Sequence, residues 1–180
     1  ISIDRHDDVF YRTYVGGAGI IAYYLLKEVP ANVDPLGPEN HLIVANGVLT
    51  GIPVGGTGRN AIGAKSPLTG GWGEADVGGY FGSELKRAGW DGIVFTGVSP
   101  GPVYLHIDDD EVEIRDASHL WGLTSGPTED TLREELGDKG TRFALIGPPG
   151  EKLSNIAGII VDKSRSAGRT GMAAVMGSKK

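Results

Sequence analysis

The sequence contains no cysteine, which excludes disulfides and any thiolate-held zinc or iron–sulfur cluster built from these 180 residues alone. It has no apolar run approaching the roughly 18 residues needed to cross a bilayer, and no charged-then-apolar leader of signal-peptide type. Cytoplasmic residence without a membrane partner is the expectation. Positive charge is scarce: 17 Lys and Arg against 23 Asp and Glu leave a net charge of −6, so generic binding to nucleic acid is not expected. Familiar catalytic motifs are missing too. There is no Walker-type phosphate loop, Ser164, Ser166 and Ser178 lack a nucleophile elbow, and His6, His41, His106 and His119 lie far apart with no metal-ligand spacing. Gly16-Gly17-Ala18-Gly19 opens like a nucleotide fingerprint, but Tyr11–Val15 ahead of it is a poor buried strand, and a structural tight turn is the better reading.

What the chain has is glycine, 30 of 180 residues, more than twice the usual share of about 7 per cent. Two glycine-rich islands also hold basic residues and no acid at all. One runs from Ser164 to Lys179 and carries Arg165 and Arg169; the other runs from Ile52 to Gly73 and carries Arg59 and Lys65. Small residues let a ligand approach backbone N–H groups while a guanidinium supplies planar, two-pronged hydrogen bonding. The islands therefore read as two anion seats facing one ligand, on which Arg59, Arg165 and Arg169 are expected to converge. Glu74 and Asp76 follow the first island, either as a solvated loop or as a loop approaching a metal–phosphate group.

Hydrophobic periodicity predicts the elements. Residues 1 to 15 read as a short strand and a lead-in; a helix follows with Ile20, Ile21, Tyr24, Leu25 and Val29 on one face, ended by Pro30. A rigid turn over 34 to 40 leads to a strand at 41 to 46 and a glycine-rich passage to Gly73. A helix at Phe81 to Ala88 capped by Gly89 precedes strands at 93–98, 103–107 and 112–115, with Asp108-Asp109-Asp110 as a solvated hairpin tip. Pro127 starts an amphipathic helix bearing Leu132 and Leu136, and strands at 142–146 and 156–161 lead into the basic end. Gly47, Gly58-Arg59 and Lys65 are echoed by Gly147, Gly168-Arg169 and Lys179, which suggests a duplication. The start at Ile1 and the stop at Lys180 after an apolar run suggest a piece of a longer chain.

Eight segments, among them VGGAG at 15–19, DPLGPEN at 34–40, KSPLTG at 65–70, GGYFGSELKRAGWDGI at 78–93, IGPPGE at 146–151 and RSAGRTGMAAVMGSK at 165–179, resemble the N-terminal domain of the tungsten-containing aldehyde ferredoxin oxidoreductase family. They run in family order across nearly the whole chain. The resemblance implies a single tungstopterin-binding domain over 1–180, of class α+β, a duplicated two-sheet domain forming the base of a bis-pterin cofactor site. It implies a tungsten or molybdenum bis-pterin whose phosphates are bridged by magnesium, with a 4Fe-4S cluster held by absent domains. It further implies oxidation of a small aldehyde to a carboxylic acid, ferredoxin as electron acceptor, contact with the remaining domains of the same chain, and a homodimer among the assemblies.

By matched motif, Arg59, Asp76, Gly78, Arg165, Ser166, Gly168 and Arg169 would contact the cofactor, with the backbone carbonyls of Asp76 and Ser166 on magnesium and no catalytic residue in these 180. Asp76 stands where the family often has Asn, and Ser166 and Thr170 replace smaller residues. Two other readings use the same residues: a non-catalytic phosphate- or nucleotide-binding module, and a family member with another reaction, such as reduction of an aryl-thioester.

Overall fold

The computed structural model describes residues 1–180, and its fold mixes helices with antiparallel sheets. The first element is helix α1, Asp8–Tyr14, where a strand was expected. Asp7 caps it by accepting the Phe10 N–H at 2.9 Å, and the helical turn brings Phe10 and Tyr14 within 4.9–5.0 Å of the Tyr23 ring. Local capping and aromatic packing thus outweigh the weak strand pattern. Helix α2, Ala18–Glu28, buries Ile20, Ile21, Tyr24 and Leu25 as their spacing requires, and stops short of Pro30. The glycines between the two helices serve a close approach: Gly16 has φ +103°, and a Cβ there would lie 2.5 Å from the Asn46 carbonyl oxygen. That space is filled by the protein's own backbone, as a structural tight turn requires.

Strands β1 (Leu42–Asn46), β2 (Asn60–Lys65) and β3 (Trp72–Val77) follow. Helix α3 (Phe81–Arg87) then leads to β4 (Gly92–Phe95), which completes an antiparallel sheet in the order β3-β2-β1-β4. The strands β2 and β3 lie in the glycine-rich passage, where no strand was expected. Their small residues obscure β propensity, but they are what two-sided packing demands. A Cβ on Gly63 would sit 2.5 Å from Ile21 Cγ2 of α2, and one on Gly73 would sit 2.6 Å from Met172 Cε on the opposite face.

Hairpin β5 (Val103–Asp108) and β6 (Glu111–Asp116) turns at Asp109 and Asp110, close to the expected acidic tip. Helix α4 spans Ser125–Leu136 and ends at Gly137 in the left-handed region. Beyond it, β7 (Ala144–Leu145), the short α5 (Pro148–Glu151), β8 (Ile159–Val161) and β9 (Arg165–Ala167) precede helix α6 (Met172–Lys179). The expected strands at 142–146 and 156–161 are therefore much shorter. A third sheet, β7-β8-β9, packs with α6 against the face of the first sheet away from α2, joining Ile62, Ala64, Ala75 and Val77 to Ile159, Val161, Ala167, Met172 and Val175 in one core. Besides these two sheets, the β5–β6 hairpin stands as a separate two-stranded sheet. The two Gly-Arg copies of the sequence echo also fall on unlike elements, since Arg59 leads into strand β2 and Arg169 towards helix α6.

The two lysines assigned to the basic islands are structural. Lys65 Nζ donates to the carbonyls of Ala31 and Val33 at 2.6 and 2.8 Å. Lys179 Nζ is buried and donates to Gly37, Pro38 and Asn40 carbonyls. Together they tie the 31–40 turn to β2 and α6. Burial pushes the Lys179 pKa down, and it does the same to neighbouring His41, whose Nδ1 lies 3.7 Å from Glu28.

Replacing Lys179 with Met strips three carbonyls of a donor, so unfolding of the Lys179→Met protein should be easier by about 1–3 kcal/mol, read as a lowered melting midpoint. His41 yields a pH effect. Its folded pKa lies below the unfolded value of about 6.5, so the stability contributed by neutral His41 is full above that pH and is lost as the pH falls through the lowered value. Melting curves between pH 7 and 5 should accordingly fall less steeply for His41→Leu than for the natural sequence.

Candidate functional site

Strand β3 is an edge strand and alternates. Gly73, Ala75 and Val77 are buried, while Trp72 and Asp76 are exposed and Glu74 is partly so. The register that pairs Asn60 with Val77 and Ala61 with Asp76 sets Arg59, just ahead of β2, beside the end of β3. The loop carrying Arg59 is pinned by Thr50, whose hydroxyl donates to the Arg59 carbonyl at 2.9 Å and accepts the Gly47 N–H. The turn between β9 and α6 is fastened to the same strand: Thr170 Oγ1 donates to the Glu74 carbonyl at 3.2 Å, and Ser66 Oγ donates to the Thr170 carbonyl at 2.7 Å. Thr170 and Gly171 both have positive φ, 58° and 79°, which bends the chain just after Arg169.

These attachments form a cleft of about 640 Å³ lined by Arg59, Trp72, Glu74, Asp76, Arg169 and Thr170, within the range of ligand sites. Residues 110 positions apart in the sequence, Arg59 and Arg169, thus face one space. Neither guanidinium forms an ion pair with Glu74, Asp76 or any other acid; the arginine ion pairs of the protein are those of Arg87, Arg115 and Arg133. The one internal polar contact between lining side chains is the Trp72 Nε1–H donated to Glu74 Oε2 at 3.1 Å. Two free planar donors opposite two carboxylates suit a ligand with both anionic oxygens and cationic or N–H-bearing parts. The protein supplies no group of three or more His, Cys, Asp and Glu side chains able to hold a metal, so any cation here would need main-chain or ligand oxygens as well.

Of the residues expected at the site, Arg59, Asp76 and Arg169 are brought together in the cleft. Gly78 follows directly after β3 with open space where a Cβ would be. Arg165 and Ser166 are exposed on β9, opposite Val161 and Ile160, and Gly168 lies just past its end; none of these three lines the cleft. The convergence expected of three arginines is met by two. Glu74 and Asp76 sit on a strand instead of a loop. Trp72 was missed, although the alternation W-G-E-A-D-V, with small residues at every second position, carries the signal that places 72, 74 and 76 on one face.

No helix is long and apolar enough to cross a membrane. Compared with known proteins, the chain is 49% identical over 179 residues to the tungsten-containing aldehyde ferredoxin oxidoreductase of Pyrococcus furiosus, covering 99% of this chain and 30% of that protein. It is 48% identical over 180 residues to the enzyme of the same name from Thermococcus kodakarensis, again 30% of its length. Its fold superposes with a TM-score of 0.94 and 42% identity on the active site complex BamBC of benzoyl coenzyme A reductase in complex with 1,5-dienoyl-CoA, over 97% of this chain and 26% of that one. The chain spans about 30% of the relatives it matches. The family model for the aldehyde ferredoxin oxidoreductase N-terminal domain matches residues 1–180, and with identities near one half across the same span this chain belongs to the aldehyde ferredoxin oxidoreductase family.

Proposed function

We propose that the chain is the cofactor-binding N-terminal domain of a longer tungstopterin oxidoreductase, and that the cleft between β3 and the β9–α6 turn receives the cofactor's phosphates. The observation that carries this reading is the pair of unpaired guanidiniums, Arg59 and Arg169, facing one open cleft in a protein of net charge −6. An acidic chain that leaves two arginines without acidic partners beside two carboxylates has a site suited to an outside anion. The four-stranded and three-stranded sheets would form the base beneath the bis-pterin, with β3 and β9 presenting its rim.

In this reading Arg59 and Arg169 hold phosphate oxygens, Gly78 and Gly168 leave room for close backbone approach, and Arg165 contacts the pterin from β9. The backbone carbonyls of Asp76 and Ser166 would hold magnesium. A carboxylate at 76 about 4 Å from a phosphate would cost roughly 4 kcal/mol at an effective dielectric of 20, and Arg59 and Arg169 in the same cleft offset that repulsion. When bound, the tungsten or molybdenum bis-pterin supplies the two-electron redox chemistry. This chain's residues bind and orient it; the 4Fe-4S cluster, the proton-transfer groups and most of the substrate pocket lie on other segments. The full protein would take an aldehyde and water to a carboxylic acid and deliver two electrons to ferredoxin in the cytoplasm, as a monomer or homodimer.

The structural likeness to an active site complex of benzoyl coenzyme A reductase favours a second reading, in which the same base carries a cofactor that reduces an aryl-thioester. A non-catalytic phosphate- or nucleotide-binding module remains the alternative from another class.

Metal and pterin analysis of the purified full-length protein tests the proposal. Tungsten or molybdenum together with iron is expected, and a protein free of both metals sinks it. Arg59→Ala and Arg169→Ala should each weaken cofactor binding by about ten- to hundred-fold, from the loss of one charge-assisted contact of roughly 1.5–3 kcal/mol. Arg165→Lys, which keeps the charge and removes the fork, should lower metal content or shift the cofactor's potential. Aldehyde-dependent ferredoxin reduction against aryl-thioester reduction separates the two enzymatic readings.

A further inference from the structure

The cleft has one aromatic wall. Trp72 is 46% exposed, and it is the aromatic residue among the six lining side chains. A large indole left about half exposed on an edge strand costs apolar hydration. Its ring is nevertheless held. The indole N–H donates to Glu74 Oε2 at 3.1 Å, and Glu74 is held in turn by its backbone, whose carbonyl accepts from Thr170 Oγ1. Glu74 Oε1 makes no hydrogen bond. The flat face of a ring whose edge is anchored, set beside two guanidiniums without partners, is a platform for a planar ligand that also carries negative charge.

We propose that Trp72 stacks on the planar heterocycle of the ligand whose phosphates Arg59 and Arg169 bind, and that Glu74 is a positioning residue that fixes the indole for that contact. This inference rests on the cofactor reading above and deepens it: the cleft takes a phosphorylated planar heterocycle, of which a pterin is one, and not a phosphate group alone. The division of labour follows from the alternation of β3. Trp72 and Asp76 lie at opposite ends of one face with Glu74 between them, about 13 Å apart along the strand, so the ring and the anionic group of the ligand are read at separate points.

The test measures pterin content, released from the full-length holoprotein as its fluorescent oxidation product, before and after prolonged dialysis. Trp72→Ala and Trp72→Leu should lose pterin about tenfold faster than the natural protein, the loss of one stacking contact, whereas Trp72→Phe, which keeps a π-face but lacks the N–H that Glu74 accepts, should lose it more slowly than either and about as fast as Glu74→Ala. Leu keeps the bulk without the π-face, so retention by Leu equal to that by Phe overturns stacking. Glu74→Ala should lose pterin faster, while Glu74→Gln, which can still accept the indole N–H, should behave as the natural protein. Equal loss in Gln and Ala overturns the positioning role. Circular dichroism spectra and melting midpoints identify any variant whose loss reflects misfolding, and the Phe and Gln variants then decide. Arg169→Ala is run in parallel: its loss of pterin with full retention in Trp72→Ala refutes the stacking inference and leaves the cofactor reading intact, whereas retention in both refutes the assignment of this cleft to the cofactor.

Discussion

The close approach of layers on both faces of the β2–β3 hairpin governs the rest of the molecule. Helix α2 reaches the sheet because position 63 has no side chain to meet Ile21, and helix α6 reaches it from the other side because position 73 has none to meet Met172. Alanines at 61, 64 and 75 complete the same thin layer. Any Cβ at 63 or 73 would have to displace a packed neighbour, and interiors packed to crystal density yield little. With α6 drawn in by this packing, the turn that precedes it has nowhere to lie except along the free edge of β3. Arg169 thereby comes to line the same cleft as Asp76.

Polar contacts then set the fine geometry that apolar packing leaves open. Thr50 fixes the loop of Arg59, Ser66 and Thr170 fasten the second turn, and Asp162 accepts the Tyr80 N–H at 2.6 Å from the tip of the β8–β9 hairpin. That hairpin connects Val161 to its partner Arg165 through Asp162, Lys163 and Ser164, with φ of 47° and 59° at Asp162 and Lys163. Gly79, with φ +112°, makes room for the Asp162 carboxylate, since a Cβ there would lie 2.6 Å from Oδ2. The two sheets are thus locked beside Gly78, whose would-be Cβ meets open space.

Charge is partitioned between these roles. The lysines of the glycine-rich islands satisfy main-chain carbonyls of the 31–40 turn, where a compact ammonium with several donors suits convergent oxygens. The arginines of the same islands are left facing solvent, two of them into one cleft. The difference follows from reach and shape: a guanidinium fork is suited to phosphate or carboxylate, and a point charge to a cage of carbonyls. Composition alone could not separate them, because both kinds sit among the same small residues.

Helix α2, strand β1, the β5–β6 hairpin and helix α4 were legible in the sequence, because each carries an apolar period or turn signal that depends only on near neighbours. So were the arginines at 59 and 169 as guanidiniums without acidic partners, through their acid-free settings, and so was the family, through motifs spread along the chain. Helix α1 was not legible, because the rings that stabilise it belong to α2, nor were β2 and β3, because their glycines and alanines read as loop until two layers close on them. Only the tertiary structure could bring Arg59, Trp72, Asp76 and Arg169 to one cleft, leave Arg165 out of its lining and assign Lys65 and Lys179 to the frame. Those outcomes depend on which strand lies at the sheet edge and on where the α6 turn docks, and both are settled by contacts between residues far apart in the chain.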